Sequence, residues 1–279
     1  MNSDSKYDEH FVNLSTVSSY SERGSSVYED PMNKNFLYGG ITKKFLKQIT
    51  FEPGIRQVLD IGCGTGFVFD VLYNTFKVNG MKGLGIEPAD GMLKIAIERF
   101  GNDSMFSFAE GSFESIPLDD CSVDHIVSTL ALHWVKSLEV ATAEMHRVLK
   151  DDGKVSILMI AKDDGAIFKK AIVEALKKHL SFEQIMKTAG LVQRAKVSDV
   201  EKAFSIFAND FNLRVIKHNE LAYGTFDDHM KWWTARSTPV IAEVKDKNRF
   251  MEDLREELEK TNTKKGIPFD LAYYWILLD

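Results

Sequence analysis

The sequence predicts an α/β fold built on a doubly wound sheet with a helical cap, and three observations carry that reading. From residue 56 onward, short apolar runs alternate with longer amphipathic ones, the pattern of strand–helix–strand crossovers that cover a sheet on both faces. The first apolar run leads into a glycine-rich turn, Gly62-Cys63-Gly64-Thr65-Gly66. The second ends in an acid, Glu87.

The elements follow in order. Residues 1–40 are polar, yet they carry Tyr7, Phe11, Tyr20, Tyr28, Phe36 and Tyr38. A free tail has no use for so many aromatic rings, so this segment is expected to fold over something. Residues 41–49 read as a helix with Phe45 and Ile49 on one face. Strands are then expected at 57–61, 83–86, 105–109, 125–128 and 154–160. Helices fall between them at 68–76, 91–100 and 139–149, the last ended by Gly153. Past residue 161 the pattern turns helical, at 167–179, 182–188 and 200–209. A strand at 213–221, helices at 226–235 and 244–261 and a terminal strand at 269–278 complete the chain. The organisation predicted is a cap segment with its first helix at 1–50, a binding core at 51–160, and a helical insert or lid with the closing strands at 161–279.

Composition narrows the function classes. The chain has 279 residues, 44% hydrophobic and 27% charged, the balance of an ordinary globular protein. A net charge of -6 gives no global positive field to hold nucleic acid or an anionic membrane. Cys63 and Cys121 are the two cysteines, and neither sits at zinc-ligand spacing. No apolar run approaches the ~20 residues that span a bilayer, and the polar, acidic N-terminus is unlike a secretory leader. The expectation is a reduced, cytoplasmic protein without a structural metal.

The glycine turn separates ligand classes by its spacing. A dinucleotide fingerprint needs Gly-x-Gly-x-x-Gly, but here the third glycine falls one residue early, at Gly66, and Phe67 follows. A phosphate-binding loop is excluded as well, since no Gly-Lys-Ser/Thr comes after it. Gly-x-Gly-x-Gly after an Asp-bearing strand suits a smaller cofactor that carries a carboxylate and an ammonium. Backbone N–H groups would meet the carboxylate, and Asp60 would either draw the amine or orient the loop. Glu87, at the end of the second strand, is placed to accept both hydroxyls of a ribose.

Val58-Leu59-Asp60-Ile61-Gly62-Cys63-Gly64-Thr65-Gly66 and Gly85-Ile86-Glu87-Pro88-Ala89-Asp90-Gly91-Met92-Leu93 resemble the class I S-adenosylmethionine-dependent methyltransferases. Three further blocks are similar in the same order: Glu110–Leu118, Asp124–Val135 and Glu144–Lys154. Together they cover residues 56–160. The resemblance is to the small-molecule, type 11-like group, and is nearest in character to the trans-aconitate and malonyl-carrier-protein carboxyl methyltransferases. The layout is also similar to histamine N-methyltransferase.

The resemblance implies a Rossmann-like seven-stranded mixed sheet of order 3-2-1-4-5-7-6, with the last strand antiparallel. It implies S-adenosyl-L-methionine as cofactor, S-adenosyl-L-homocysteine as product, and methyl transfer to an O, N or C nucleophile of a small molecule. Cofactor contacts would come from Asp60, Gly62, Cys63, Gly64, Thr65, Gly66, Glu87, Pro88, Met92, Ser112, Phe113 and Leu130, with Tyr20 or Tyr28 closing over the methionine portion. Ser112 stands where most relatives carry Asp, which puts a side-chain bond to adenine in doubt and leaves the backbone N–H of Phe113. His133 is the candidate catalytic residue, as base or orienting group, and Trp134, Trp233 and Arg236 are candidates for the acceptor pocket. Cys63 reads as a small buried filler. The rival readings are a protein or nucleic-acid methyltransferase and a non-catalytic cofactor-binding relative.

Overall fold

The computed structural model describes residues 34–189, 194–235, 241 and 243–279. Tyr20, Tyr28 and Arg236, and with them the expectation of a closing N-terminal segment, lie outside the described residues.

Helix α1 (Tyr38–Leu46) precedes strand β1 (Gln57–Ile61), and α2 (Phe67–Asn79), β2 (Lys82–Ile86), α3 (Asp90–Phe100) and β3 (Phe106–Ala109) follow. Then come β4 (Val123–Thr129), a short 3₁₀ turn at Leu132–Trp134, α4 (Leu138–Val148) and β5 (Leu149–Ile160). The chain continues through α5 (Ala166–Leu176), α6 (Phe182–Ala189), α7 (Val197–Ala203) and β6 (Leu213–Gly224), and ends with α8 (Phe226–Ala235), α9 (Lys247–Glu259) and β7 (Ile267–Leu278).

The seven strands form one mixed sheet in the order β3-β2-β1-β4-β5-β7-β6, as the resemblance implied. Strands β1 to β5 pair in parallel. Strand β7 runs antiparallel to β6: at one end Asn212 and Asp279 exchange N–H···O bonds of 2.8 and 3.4 Å, and at the other Gly266 lies against Gly224.

Two expectations need correction. Gly153 does not end a helix. Helix α4 stops at Val148 and β5 starts directly at Leu149. Leu149 pairs with Val123 and Lys154 with His125, so the residues between bulge out of the ladder. A Cβ on Gly153 would come within 2.6 Å of the Leu149 side chain, so glycine there permits the bulge to close on itself. The helix expected at 200–209 ends at Ala203, and a 3₁₀ turn at Phe204–Phe207 buries both of its phenylalanines.

The contacts divide the chain into two compact units, Met1–Ile160 with Ala195–Lys217 and Tyr274–Asp279, and Ala161–Arg194 with His218–Tyr273. In the first, Phe69 stacks on Phe106 at 4.8 Å and meets Phe76 and Phe100 edge-on. Glycine at position 83 makes room for this cluster, since a Cβ there would lie 2.7 Å from the Phe69 ring. That packing holds α2 against β2 and thereby aims the start of α2 at the carboxyl end of the sheet.

The second unit has its own aromatic core of Phe168, His229, Trp233, Phe250 and Phe269. Its helix α5 is capped by Asp270, whose two carboxylate oxygens accept from the Ala166 and Ile167 N–H groups at 2.9 Å. The charged helix α9 is amphipathic: Phe250, Leu254 and Leu258 are fully buried. Among the described residues no helix is long and apolar enough to cross a membrane, and no cluster of side chains could hold a metal ion.

Candidate functional site

The turn after β1 is held by its neighbour strand. The N–H groups of Gly62 and Cys63 both donate to the Ile86 carbonyl, at 2.8 and 3.0 Å. The N–H of Gly64 donates to Glu87 Oε2 at 3.0 Å, and the N–H of Ala89 to Glu87 Oε1 at 2.9 Å. The Glu87 carboxylate thus joins the glycine turn to the start of α3, and each oxygen keeps a lone pair for another donor. Burial pushes the Glu87 carboxyl up, and the two N–H bonds oppose that rise.

The glycines have separable reasons. Gly62 has φ +72°, and a Cβ there would lie 2.4 Å from the Ala131 Cβ, so the fold itself excludes a side chain. Gly64 has φ +55°, but a Cβ would meet only the Met92 methyl, at an ordinary 3.6 Å. Among the described residues nothing else approaches the space over Gly64. The next turn begins at Gly66, and α2 starts behind it with its free N–H groups facing the turn. Arg99 braces the loop from the other side, donating to the Thr65 carbonyl at 2.9 Å and pairing with Asp70 at 3.1 Å.

Asp60 is the electrostatic oddity. It is fully buried, and neither carboxylate oxygen has a hydrogen-bond partner among the described residues. Burial, with the negative charge of Glu87 added, pushes its carboxyl well above the usual carboxylate range. An unpaired buried acid is costly, and a cationic ligand group would relieve that cost. The residues present therefore fit a cofactor that brings an ammonium to Asp60, a diol to Glu87 and a carboxylate to the N–H groups at the start of α2.

Most of the remaining expected residues gather at the same strand ends. Met92 is buried beside Gly64, and Cys63 is buried with its thiol packed against Gly85. Burial and the charges of Asp60 and Glu87 push that thiol up. Pro88 sits half-buried between Glu87 and the start of α3. Ser112 and Phe113 lie on a tight turn after β3, where a Cβ on the preceding Gly111 would sit 3.3 Å from Ile86.

Leu130, with φ +59°, turns the chain off β4, and Ala131 meets Gly62. His133 and Trp134 follow with their rings 4.9 Å apart. Trp233 is packed between Phe168 and Phe250 in the core of the second unit. Sequence reasoning passed over Glu114, Glu144 and Arg147, which hold the Ser112 turn. A Glu–Arg pair three residues apart reads as a surface pair on a helix, and nothing in its spacing points to a loop some thirty residues earlier.

Residues 59–157 match a methyltransferase domain. The core of this chain is therefore similar to a methyltransferase domain. Outside it the likeness thins. A malonyl-[acyl-carrier protein] O-methyltransferase of Serratia marcescens is 28% identical over 150 residues, 54% of either chain. A ubiquinone/menaquinone biosynthesis C-methyltransferase of Campylobacter jejuni is 30% identical over 109 residues, 38% of this chain and 45% of its own. The chain therefore spans about half the length of the curated relatives it matches.

Among solved structures, the YcgJ protein of Bacillus subtilis superposes with a TM-score of 0.53 at 21% identity, over 86% of this chain and 95% of that one. Geranyl diphosphate C-methyltransferase of Streptomyces coelicolor superposes at 0.50 with 12% identity, over 96% and 97%. These two likenesses bear on the fold, a Rossmann-like seven-stranded sheet.

Two predictions follow from the site. Gly62→Ala should cost several kcal/mol of stability, because the backbone must shift away from Ala131, whereas Gly64→Ala should cost only the ~1–2 kcal/mol of a left-handed non-glycine residue. Gly64→Ala should nevertheless bind S-adenosylhomocysteine at least tenfold more weakly than the wild type, as read by calorimetry beside denaturant unfolding.

Asp60→Asn should separate stability from binding. The folded carboxyl holds its proton to higher pH than the unfolded one, whose pKa is about 3.9. Its contribution to stability is therefore present at low pH and lost as pH rises through the folded value. The neutral amide escapes that loss, so Asp60→Asn should raise the melting temperature at pH 8, with the gain shrinking toward pH 4, while cofactor affinity falls. Thermal melts across that range, with calorimetry at pH 8, check both halves.

Proposed function

We propose that this chain is an S-adenosylmethionine-dependent methyltransferase that transfers a methyl group to an O, N or C nucleophile of a small molecule. The observation that carries the reading is the fully buried Asp60 carboxylate, without a hydrogen-bond partner among the described residues, beside the Glu87-anchored glycine turn, a cradle whose charge and shape call for a cationic amino-acid nucleoside. The curated relatives support methyl transfer, and their names include both an O- and a C-methyltransferase. The net charge of -6 favours a small acceptor over a nucleic acid.

S-adenosylmethionine, when bound, supplies a methyl group already activated by a sulfonium. The chain's own task is then alignment and the exclusion of water. Asp60 would pair with the ammonium, the N–H groups at the start of α2 would meet the carboxylate, and the spare lone pairs of Glu87 would accept from the ribose diol. Met92 would wall one side. His133, carried past the end of β4 by the left-handed Leu130, would take or orient the proton of the acceptor nucleophile, with Trp134 beside it.

Calorimetry with S-adenosylhomocysteine and a screen of acceptors against labelled methyl donor test the reading together. Micromolar binding and transfer to a small acceptor are expected; absence of binding overturns it. Glu87→Gln should weaken S-adenosylhomocysteine about ten- to a hundredfold through the loss of charge-assisted bonds. His133→Ala should lower kcat by about 10²-fold or more and leave the dissociation constant of S-adenosylhomocysteine within twofold; an unchanged kcat would remove His133 from the chemistry.

A further inference from the structure

Arg194, in the second unit, is held at one point only. Its Nη1 donates to Asp164 Oδ2 at 3.1 Å, and the other oxygen of that buried carboxylate accepts the Ala272 N–H at 2.9 Å. The Arg194 Nε–H is sealed from solvent and has no hydrogen-bond partner among the described residues. A guanidinium offers five donors in a rigid plane, and the Nε–Nη2 edge is one of its two forks. At Arg147 that edge is filled: Nε donates to Glu144 Oε1 at 2.8 Å and Nη2 to Glu144 Oε2 at 2.9 Å. At Arg194 the same edge donates to no oxygen of the described residues. Asp164 balances the charge of Arg194 and leaves the buried Nε–H unmet, which is costly for a donor on a charged group.

The loop that carries Asp164 leaves the carboxyl end of β5 at Ile160, the end of an α/β sheet at which ligands bind. Lys169, on α5, lies in the same field. Its Nζ donates to the Lys162 carbonyl at a long 3.4 Å. Desolvation, with the charge of Arg194 added, holds the Lys169 ammonium below the usual lysine value, against the opposing pull of Asp164, Asp270 and Asp163. Two cations therefore crowd one place. The acids around them are engaged elsewhere or open to water: Asp270 gives both oxygens to the Ala166 and Ile167 N–H groups, and Asp163 is exposed.

We propose that the Nε–Nη2 edge of Arg194, with the Lys169 ammonium beside it, is a binding site for an anionic head group, the carboxylate or phosphate of a small molecule. Both groups present two oxygens at the spacing of the fork, so one bidentate pair satisfies Nε–H and Nη2 together, which a chloride ion cannot do. Asp164 sets the plane: by holding Nη1 it leaves the Nε–Nη2 edge as the part that receives the anion. The Arg194 side chain is only 16% exposed, an opening that suits the end of a small molecule and not a flat macromolecular surface. Neither cation lies within residues 59–157, the span that matches the methyltransferase domain.

The test titrates the full chain with sodium phosphate and with sodium acetate, against sodium chloride at matched ionic strength, and follows the arginine Nε–H groups in proton–nitrogen correlation spectra. The Arg194 signal is identified by its loss in Arg194→Lys. Should that variant fail to fold, Asp164→Asn, which changes the neighbour at Nη1, identifies the signal by its displacement. The Arg194 signal should move saturably with phosphate, acetate or both, and stay still in chloride. A larger response to phosphate makes the occupant a phosphorylated molecule, and a larger response to acetate makes it a carboxylic acid. Lys169→Met should weaken that anion about threefold or more, the loss of one partly exposed charge. An Arg194 signal that neither anion moves, or that all three salts move alike, overturns the proposal, as does an affinity unchanged in Lys169→Met. Neither the probes nor the readout involve S-adenosylhomocysteine, so failure of this site and failure of the cofactor reading are separate outcomes.

Discussion

The turn after β1 has no stable conformation of its own; the end of β2 gives it one. Two N–H groups share the Ile86 carbonyl and a third takes a Glu87 oxygen, so three successive residues of the turn are fixed to the neighbouring strand. Parallel pairing of β1 with β2, which sets Ile61 beside Ile86, is what brings these partners into reach. Everything else at the strand ends is arranged around that attachment: Ala131 closes on Gly62, Met92 on Gly64, and the turn after β3 on Ile86. A shift of one residue in the β1–β2 register would reverse the side-chain faces and dissolve the site.

The attachment concentrates negative charge. Glu87 is compensated by two N–H donors, but Asp60 has no partner among the described residues and sits fully buried. Such a group lowers the stability of the unliganded fold. The cost is tolerable because the surrounding packing is extensive, with the Phe69, Phe76, Phe100 and Phe106 cluster beneath the same strands. A cation arriving at this point gains from a field that is already in place and needs no reorganisation. On the proposed activity, that is where binding selectivity and the stability of the empty protein oppose each other.

The turn after β3 shows a second way to impose order. It is four residues of hairpin with little apolar anchoring beyond Phe113 and Ile116, and its position is dictated from outside by a planar ion pair on α4. Arg147 is partly exposed, so the pair's value lies in geometry more than in net energy. In the second unit, Asp253 plays a comparable part between α5 and α9, where it meets Lys178 and His179, but there the result is helix packing.

The order of strands and helices was legible in the sequence because each buried strand is a short apolar run and each helix repeats its apolar residues at helical spacing. The glycine turn, Asp60 and Glu87 were legible for a related reason: their roles follow from local backbone geometry and from position at a strand end. Gly153 was misread because a glycine after an apolar helix looks the same whether it ends the helix or permits a bulge, and only the pairing of Leu149 with Val123 decides between them. Asp60 without a partner among the described residues, Ser112 turned inward on its own hairpin, Trp233 in an aromatic core and the grip of Arg147 on Ile116 depend on residues distant in the chain that come together only when the elements pack. The sequence by itself determined which elements form and which backbone turns they can make, since those are short-range properties of residue type. Tertiary structure alone decided which charges are paired and which are left waiting, because desolvation and hydrogen-bond reach are set by neighbours that no local spacing encodes.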